Sequence, residues 1–447
     1  MDLVKKTFVK YSPLIFSELY LIFTLLLLFF GPLIWPLQNL TEFILLIASY
    51  HLAFISGYIV YVKFIFESER RGDTTVIEYN FNKFFWGIVA LAFCGMMISH
   101  RNLVHTPSYI PWSFFSDLKK GFLFPAEVRT YYASTEYSES FQGNKYISSL
   151  LLLLGVFKYS LYPSLIILWD KLPRIKKIIG FVVAMIPLMS GISISVSSFN
   201  FAYVFITIIC LGLLFFKDGL SFVLKKRKIF IAFLVILSLF SVWNFYIVRT
   251  KASLLSVATG VAVPVRVDYL QDNGVRLKNK FNSGGFAALT DLGEKVTVYL
   301  VNGYVGMSIS LGEKFESSYG VGHSVFLQRV ADTHFGIKVY PRTFQHKITD
   351  RWDKDVYWHT AYSYLANDIT FWGVTIVMFL LGSVLAMVFL SALMENCFVA
   401  SLLLPLFGIL ILYLPANNQI FSFLETMSSF WLLILLFFVS RYKLKAS

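Results

Sequence analysis

The sequence predicts an all-α polytopic membrane protein of about ten (10–12) transmembrane helices, with a large external loop before the last three. Three observations predict it. Hydrophobic residues make up 57% of the 447 positions and charged residues only 15%, which excludes an ordinary soluble domain. Apolar runs of spanning length recur along the chain, whereas a membrane barrel would show short alternating segments. Lysine and arginine collect in short segments between those runs, where they set topology.

The first run, 14–35, follows Lys5, Lys6 and Lys10 and has no small-residue cleavage site, so it reads as a retained anchor. Runs at 42–66 and 84–99 come next, the second of them short. The segment 100–145 is rich in proline and aromatics, among them Pro107, Tyr109, Pro111, Trp112, Tyr131 and Tyr132. Spans at 147–169, 178–196, 200–216 and 229–247 complete a first bundle over residues 1–247. Lys158 lies inside the fourth span, and a charge at that depth turns toward protein or water. A loop domain, 248–367, precedes spans at 369–393, 397–414 and 423–440, which make up the C-terminal part, 368–447.

Charge orients the bundle. The N-terminal segment and segments 63–83, 171–177, 217–228 and 441–445 together hold 19 lysines and arginines. The short connections 36–41, 197–199 and 415–422 hold none. The pattern places both termini in the cytoplasm and puts 100–145 and the large loop outside. The stretch 249–367 carries 14 lysines and arginines, and long translocated loops escape the charge rule. Within it, VTVYLVNGYVGMSISL (296–311) is uncharged but short and polar for a span, so it is expected to lie on or dip into the outer leaflet. The alternative is a core helix of the loop domain.

Several function classes are set aside. The net charge of +13 suggests nucleic acid, but its placement between spans serves topology, so no nucleic-acid partner is expected. The cytoplasmic segments hold no GxxxxGK[ST], which argues against an ATP-driven pump, and no HExxH or paired Cys/His spacing suggests zinc. Neither a cofactor nor a metal is expected. Cys94, Cys210 and Cys397 sit in or beside apolar runs and read as small buried hydrophobes. Seven spans before the loop and three after it are unlike one another, which weighs against an inverted-repeat carrier.

The residues with chemistry are external. Arg249, Arg266, Arg276, Arg329, Arg342 and Arg351 suit bidentate recognition of phosphate oxygens, and the bland reading pairs them with the loop's own acids. Arg249 follows the seventh span directly, at head-group depth. The histidines of the large loop are His323, His334, His346 and His359. If YWHTAY (357–362) is helical, His359 and Tyr362 share a face, as do Trp358 and Tyr362, and could set a general base or acid beside an aromatic platform. An interfacial aromatic belt is the plainer reading. Asp368 adds a carboxylate at the membrane boundary.

Three features resemble the Wzy-type polymerases of lipid-linked oligosaccharide repeat units. The first is the architecture, many spans with a dominant external loop before the last few. The second is YLVNGYVGMSISLGEKFESSYGVG (299–322), similar to a Tyr-rich, Gly-containing loop of that family. The third is WHTAYSYLANDITFWGV (358–374), which resembles a polar helix ending in Asp-Phe-Gly-x-x-Gly before a span; it matches at Asp368 and Gly373 and departs at Thr370, where glycine is usual. Arg249 and Gly260 also reproduce an Arg-x10-Gly spacing of some members. The turn Ser197-Ser198-Phe199-Asn200 lacks the arginine that many relatives carry there, so Arg249 or Arg266 would have to serve.

The resemblance implies a glycosyltransferase of the bacterial inner membrane, building O-antigen or a related surface polysaccharide. It would move a growing glycan from undecaprenyl diphosphate to a new lipid-linked repeat unit. Arg249 and Arg266 would neutralise the diphosphate, and His359 or Asp368 would take the acceptor's proton. Arg276, Arg329, Arg342, His323, Tyr299, Tyr304, Trp358 and Tyr362 would bind and orient the two substrates. Membrane lipids and a Wzz-type chain-length co-polymerase are the further implied partners. An O-antigen ligase differs only in acceptor. A lipid-linked oligosaccharide flippase or transporter is the non-enzyme rival, against which the long loop counts.

Overall fold

A computed structural model describes residues 3–66, 74–105, 112–132, 145–194, 198–215, 274–277 and 287–446. Among the described residues the regular structure is helical apart from one two-residue ladder, β1 (Leu33–Ile34) paired antiparallel with β2 (Arg276–Leu277). Its longer helices are α1 (Leu3–Phe30), α2 (Leu40–Val60, continued by a π-helical turn Tyr61–Ile65) and α3 (Thr74–Leu103). Short helices α4 (Phe114–Leu123), α5 (Pro125–Tyr132) and α6 (Lys145–Ser149) lead to α7 (Leu151–Ile167). Helices α8 (Arg174–Ala184), α9 (Ile186–Ile194) and α10 (Ser198–Phe215) follow. After the undescribed stretch come α11 (Ala287–Ser310), α12 (Val325–Phe335), α13 (Phe344–Lys347), α14 (Ala361–Met394), α15 (Phe398–Tyr413) and α16 (Leu424–Ala446).

Six of the described helical segments are long and apolar enough to cross a membrane: 8–30, 40–65, 80–103, 174–194, 361–394 and 424–441. Three shorter apolar helices, 151–167, 199–214 and 398–413, coincide with the expected fourth, sixth and ninth spans. The expected seventh span, 229–247, lies outside the described residues. The third span is longer than its apolar stretch suggests, because polar residues at both ends join the helix.

Helix packing follows from small residues where backbones meet. A Cβ on Gly57 of α2 would lie 2.0 Å from the Phe379 carbonyl, and one on Gly382 of α14 would lie 2.1 Å from the Phe54 carbonyl. The two helices therefore touch backbone to backbone, the usual membrane solution where lipid gives no hydrophobic drive. Hydroxyls add to the seam: Ser383 donates to Gly57 O at 3.0 Å, Ser49 and Thr375 meet at 3.0 Å, and Tyr50 donates to Phe371 O at 2.7 Å. Lys158 of α7 turns inward, as its depth requires. Its Nζ lies 2.9 Å from Glu425 of α16 and 3.1 Å from Ser99 of α3, fastening three helices together.

The expectation that 296–311 rests on the leaflet is corrected. Residues 296–310 belong to α11, and every position from 301 to 310 is buried in protein. Val298, Val301, Tyr304, Val305, Met307 and Ile309 join the main hydrophobic cluster. The helix is uncharged there because it is core. Its last turns meet the α1–α2 connection, where Asn39 Nδ2 donates to Ser308 O at 3.1 Å. Phe344, Ile348, Trp352 and Tyr357 enter the same cluster, so the described part of the long loop shares one core with the bundle.

Candidate functional site

The site forms where α14 begins and breaks. Thr360 caps α14 by accepting from Ser363 N, and the helix is interrupted at Thr370, with φ 69° and ψ 162°. Only glycine adopts that region without strain. Thr370 Oγ1 then accepts from Gly373 N at 3.2 Å, which restarts the helix. Asn367 and Asp368 are the polar residues just before the break, at the bundle end covered by the loop.

The segment 313–324 wraps over them. The Ser318 hydroxyl lies within hydrogen-bond reach of both the Asn367 carbonyl and Asp368 Oδ1. Gly322 N donates to Asp368 Oδ1 at 2.8 Å and His323 N to Oδ2 at 2.9 Å. The His323 ring Nδ1 meets the same Oδ2 at 2.9 Å. A Cβ at Gly322 would lie 2.0 Å from Ser318 Oγ and 2.6 Å from Asn367 Cβ, so the wrap needs glycine there. Asn367 anchors the surroundings. Its Oδ1 accepts from Phe344 N at 2.9 Å, and its Nδ2 donates to Gly322 O at 3.0 Å and Gln345 Oε1 at 2.8 Å. Gln328 Nε2 and Asn418 Nδ2 donate to Gly322 O and His323 O, at 2.7 and 2.5 Å.

This network fixes a carboxylate–imidazole pair. The Asp368 side chain is 9% exposed and His323 21%. Nδ1 is engaged by Asp368, and Nε2 makes no hydrogen bond to a described residue. Such a dyad accepts a proton from a hydroxyl and stabilises the resulting imidazolium. Arg342 lies close by along the same segment, its Nη1 3.5 Å from Ser317 O and its guanidinium 4.8 Å over the exposed Tyr319 ring. No carboxylate lies within ion-pair distance of Arg342, Arg276 or Arg329 among the described residues, whereas Arg351 pairs with Glu313. Arg276 and Arg329 are exposed, the first on β2 beside Ile34 and the second on α12. No group of three His, Cys, Asp or Glu is placed to hold a metal among the described residues.

The other sequence-predicted residues fall elsewhere. Arg249 and Arg266 lie outside the described residues. The face that 357–362 would present as a helix does not form, because α14 starts only at Ala361. His359 is instead buried in the extended lead-in, against Gly306 and Trp352, with neither ring nitrogen in full hydrogen-bonding geometry. Burial pushes its pKa down to about 3, Lys354 adds to the fall, and the Trp352 backbone offsets only part. Tyr304 and Tyr362 are fully buried: Tyr304 Oη meets Thr24 Oγ1 at 3.0 Å, and Tyr362 packs on Tyr50. Tyr299 and Trp358 stand edge to face with centroids 4.2 Å apart, both half-buried.

Sequence reasoning named His323 and Asp368 but gave them separate roles. It missed Ser318, Gln328, Gln345, Asn367 and Asn418, whose common signal is only that uncharged polar side chains recur beside the membrane boundary. It also missed Glu425, although a lone acid in the span 423–440 and a lone Lys158 in 147–169 are natural partners. No protein-family model, curated protein or solved structure matches the chain.

Proposed function

We propose that the protein is a glycosyltransferase that polymerises undecaprenyl-diphosphate-linked oligosaccharide repeat units at the external face of the bacterial inner membrane. The observation that carries the reading is the His323–Asp368 pair at the loop-covered end of the bundle, the end that charge bias assigns to the outside. His323 Nε2 takes the proton of the acceptor hydroxyl as its oxygen attacks the anomeric carbon of the donor glycan. The bond from that carbon to the diphosphate breaks, and undecaprenyl diphosphate leaves with the bonding pair. Asp368 holds the imidazole tautomer and stabilises the imidazolium. Arg342, beside Ser317 and Tyr319 of the wrapping segment, offers a cation for the charge developing on the diphosphate, and Arg329 and Arg276 are further cations with no carboxylate at ion-pair distance among the described residues. Tyr299 and Trp358 form an aromatic pair of the kind on which sugar rings stack. The activated diphosphate drives the transfer, so no nucleotide is needed outside the cell.

The test is a gel of surface glycan from a strain lacking the protein, complemented with wild type, His323→Ala or Asp368→Asn at matched protein levels. A single capped repeat unit in the deletion strain, with the ladder restored by wild type and by neither variant, is the expected result. A persistent ladder without the protein overturns the function. A full ladder from His323→Ala overturns the dyad.

A further inference from the structure

Helix α4 lies between two membrane-spanning helices in sequence, and its contacts fix its depth. Gly121 is pressed against the last turn of α9, where a Cβ would lie 2.1 Å from the Ile192 carbonyl oxygen. Phe114 packs edge-on against His100 at 4.7 Å, and Asp117 Oδ2 approaches His100 Nε2 at 3.7 Å, in the last turn of α3. Residues 100 and 192 end the apolar segments 80–103 and 174–194. Two separate spans therefore place α4 at the boundary between hydrocarbon and head groups.

Apart from Phe114, Asp117, Leu118 and Gly121, the helix is exposed. Only Phe114 and Gly121 are buried, while Phe115 is 78% and Phe122 64% exposed. Trp112, Leu123 and Phe124 extend the same apolar surface. On an ideal helix Phe115, Lys119 and Phe122 share one face, and Lys119 and Lys120 are exposed. Bulky aromatics at that depth meet water only at a large cost, whereas an interfacial helix seats them among acyl chains and lets lysines snorkel to lipid phosphates.

We propose that α4 is an interfacial helix docked into one leaflet, with Phe115 and Phe122 among the acyl chains and Lys119 and Lys120 at the phosphates. The surface lies where two apolar segments end, and the lysines complement anionic head groups. It supplies the in-plane membrane contact that the sequence suggested for 296–311. The inference stands apart from the glycosyltransferase reading, because it concerns depth and not chemistry.

The experiment places a fluorescent amino acid at Phe122, and separately at Phe115, in the full chain reconstituted into phosphatidylethanolamine–phosphatidylglycerol vesicles. References are Ile376, 67% exposed on the span α14, and Asp350, 79% exposed on the loop. Lipids brominated on the acyl chains should remove most of the emission at 122 and 115, as at 376, while aqueous iodide acts only at 350. Quenching of both α4 positions by iodide, or insensitivity to both quenchers, overturns the proposal. The first outcome means a solvated helix, the second a helix covered by protein.

Discussion

Thr370 stands in a backbone region that costs a non-glycine residue about 1–3 kcal/mol, and its β-branched side chain worsens the fit. Thr370→Gly should therefore release strain. Two terms oppose the gain. Losing the Thr370 Oγ1 cap on Gly373 to glycine costs a few tenths of a kcal/mol, and the freer unfolded chain costs about 0.4–1 kcal/mol. The net expectation is a stabilisation of about 1 kcal/mol. Thr370→Ala keeps the strained backbone and loses the cap, so it should destabilise by about 1 kcal/mol. The opposite signs are the useful part. Reversible unfolding of the purified protein in mixed dodecylmaltoside–SDS micelles measures both against wild type, and the two variants should differ by about 2 kcal/mol, near a thirtyfold change in the folding equilibrium. If Thr370→Gly is no more stable than wild type, or ranks below Thr370→Ala, the strain argument is refuted. Because Thr370 adjoins Asp368, repeating the glycan gel with the glycine variant shows separately whether the strained geometry serves turnover.

His359 gives a pH prediction. Its folded pKa of about 3 lies below the ordinary value of 6.5, so the unfolded chain binds the proton first. Its contribution is fully present above pH 6.5 and is lost as pH falls toward 3, at up to about 1.4 kcal/mol per pH unit. Unfolding measured between pH 7 and 4 should show this slope in wild type, and His359→Phe should flatten it. Gly382→Ala should destabilise by about 1–3 kcal/mol in the same micelles, because the Phe54 carbonyl is backbone and cannot swing aside. A neutral result would mean that α2 and α14 are farther apart. Glu425→Gln, which strands the buried Lys158 ammonium, should cost about 2–4 kcal/mol. Lys158→Met combined with Glu425→Gln should recover a good part of it, and a strictly additive double variant would show that the pair does not couple.

The sequence by itself determined what depends on composition along the chain. Apolar runs long enough to bridge a bilayer had to become helices, because an unpaired backbone is intolerable in lipid, and the long apolar helices among the described residues fall on those runs. Lys158 had to face inward for the same dielectric reason, and it does. The tertiary structure decided everything that depends on which surfaces meet. The run 296–311 carries no charge whether it lies in lipid or in protein, and only its neighbours made it core. His323 and Asp368 are separated by α12, α13, a loop and the first turns of α14, and one-dimensional patterning holds no term for their 2.9 Å contact. His359 looked reactive beside aromatics, but a helix starting two residues later sealed it in. The position of Thr370 shows both levels at once. Departure from a glycine pattern was visible in the sequence, and only the fold revealed that the backbone there takes a glycine's conformation, because the chain must break and restart its helix beneath Asp368.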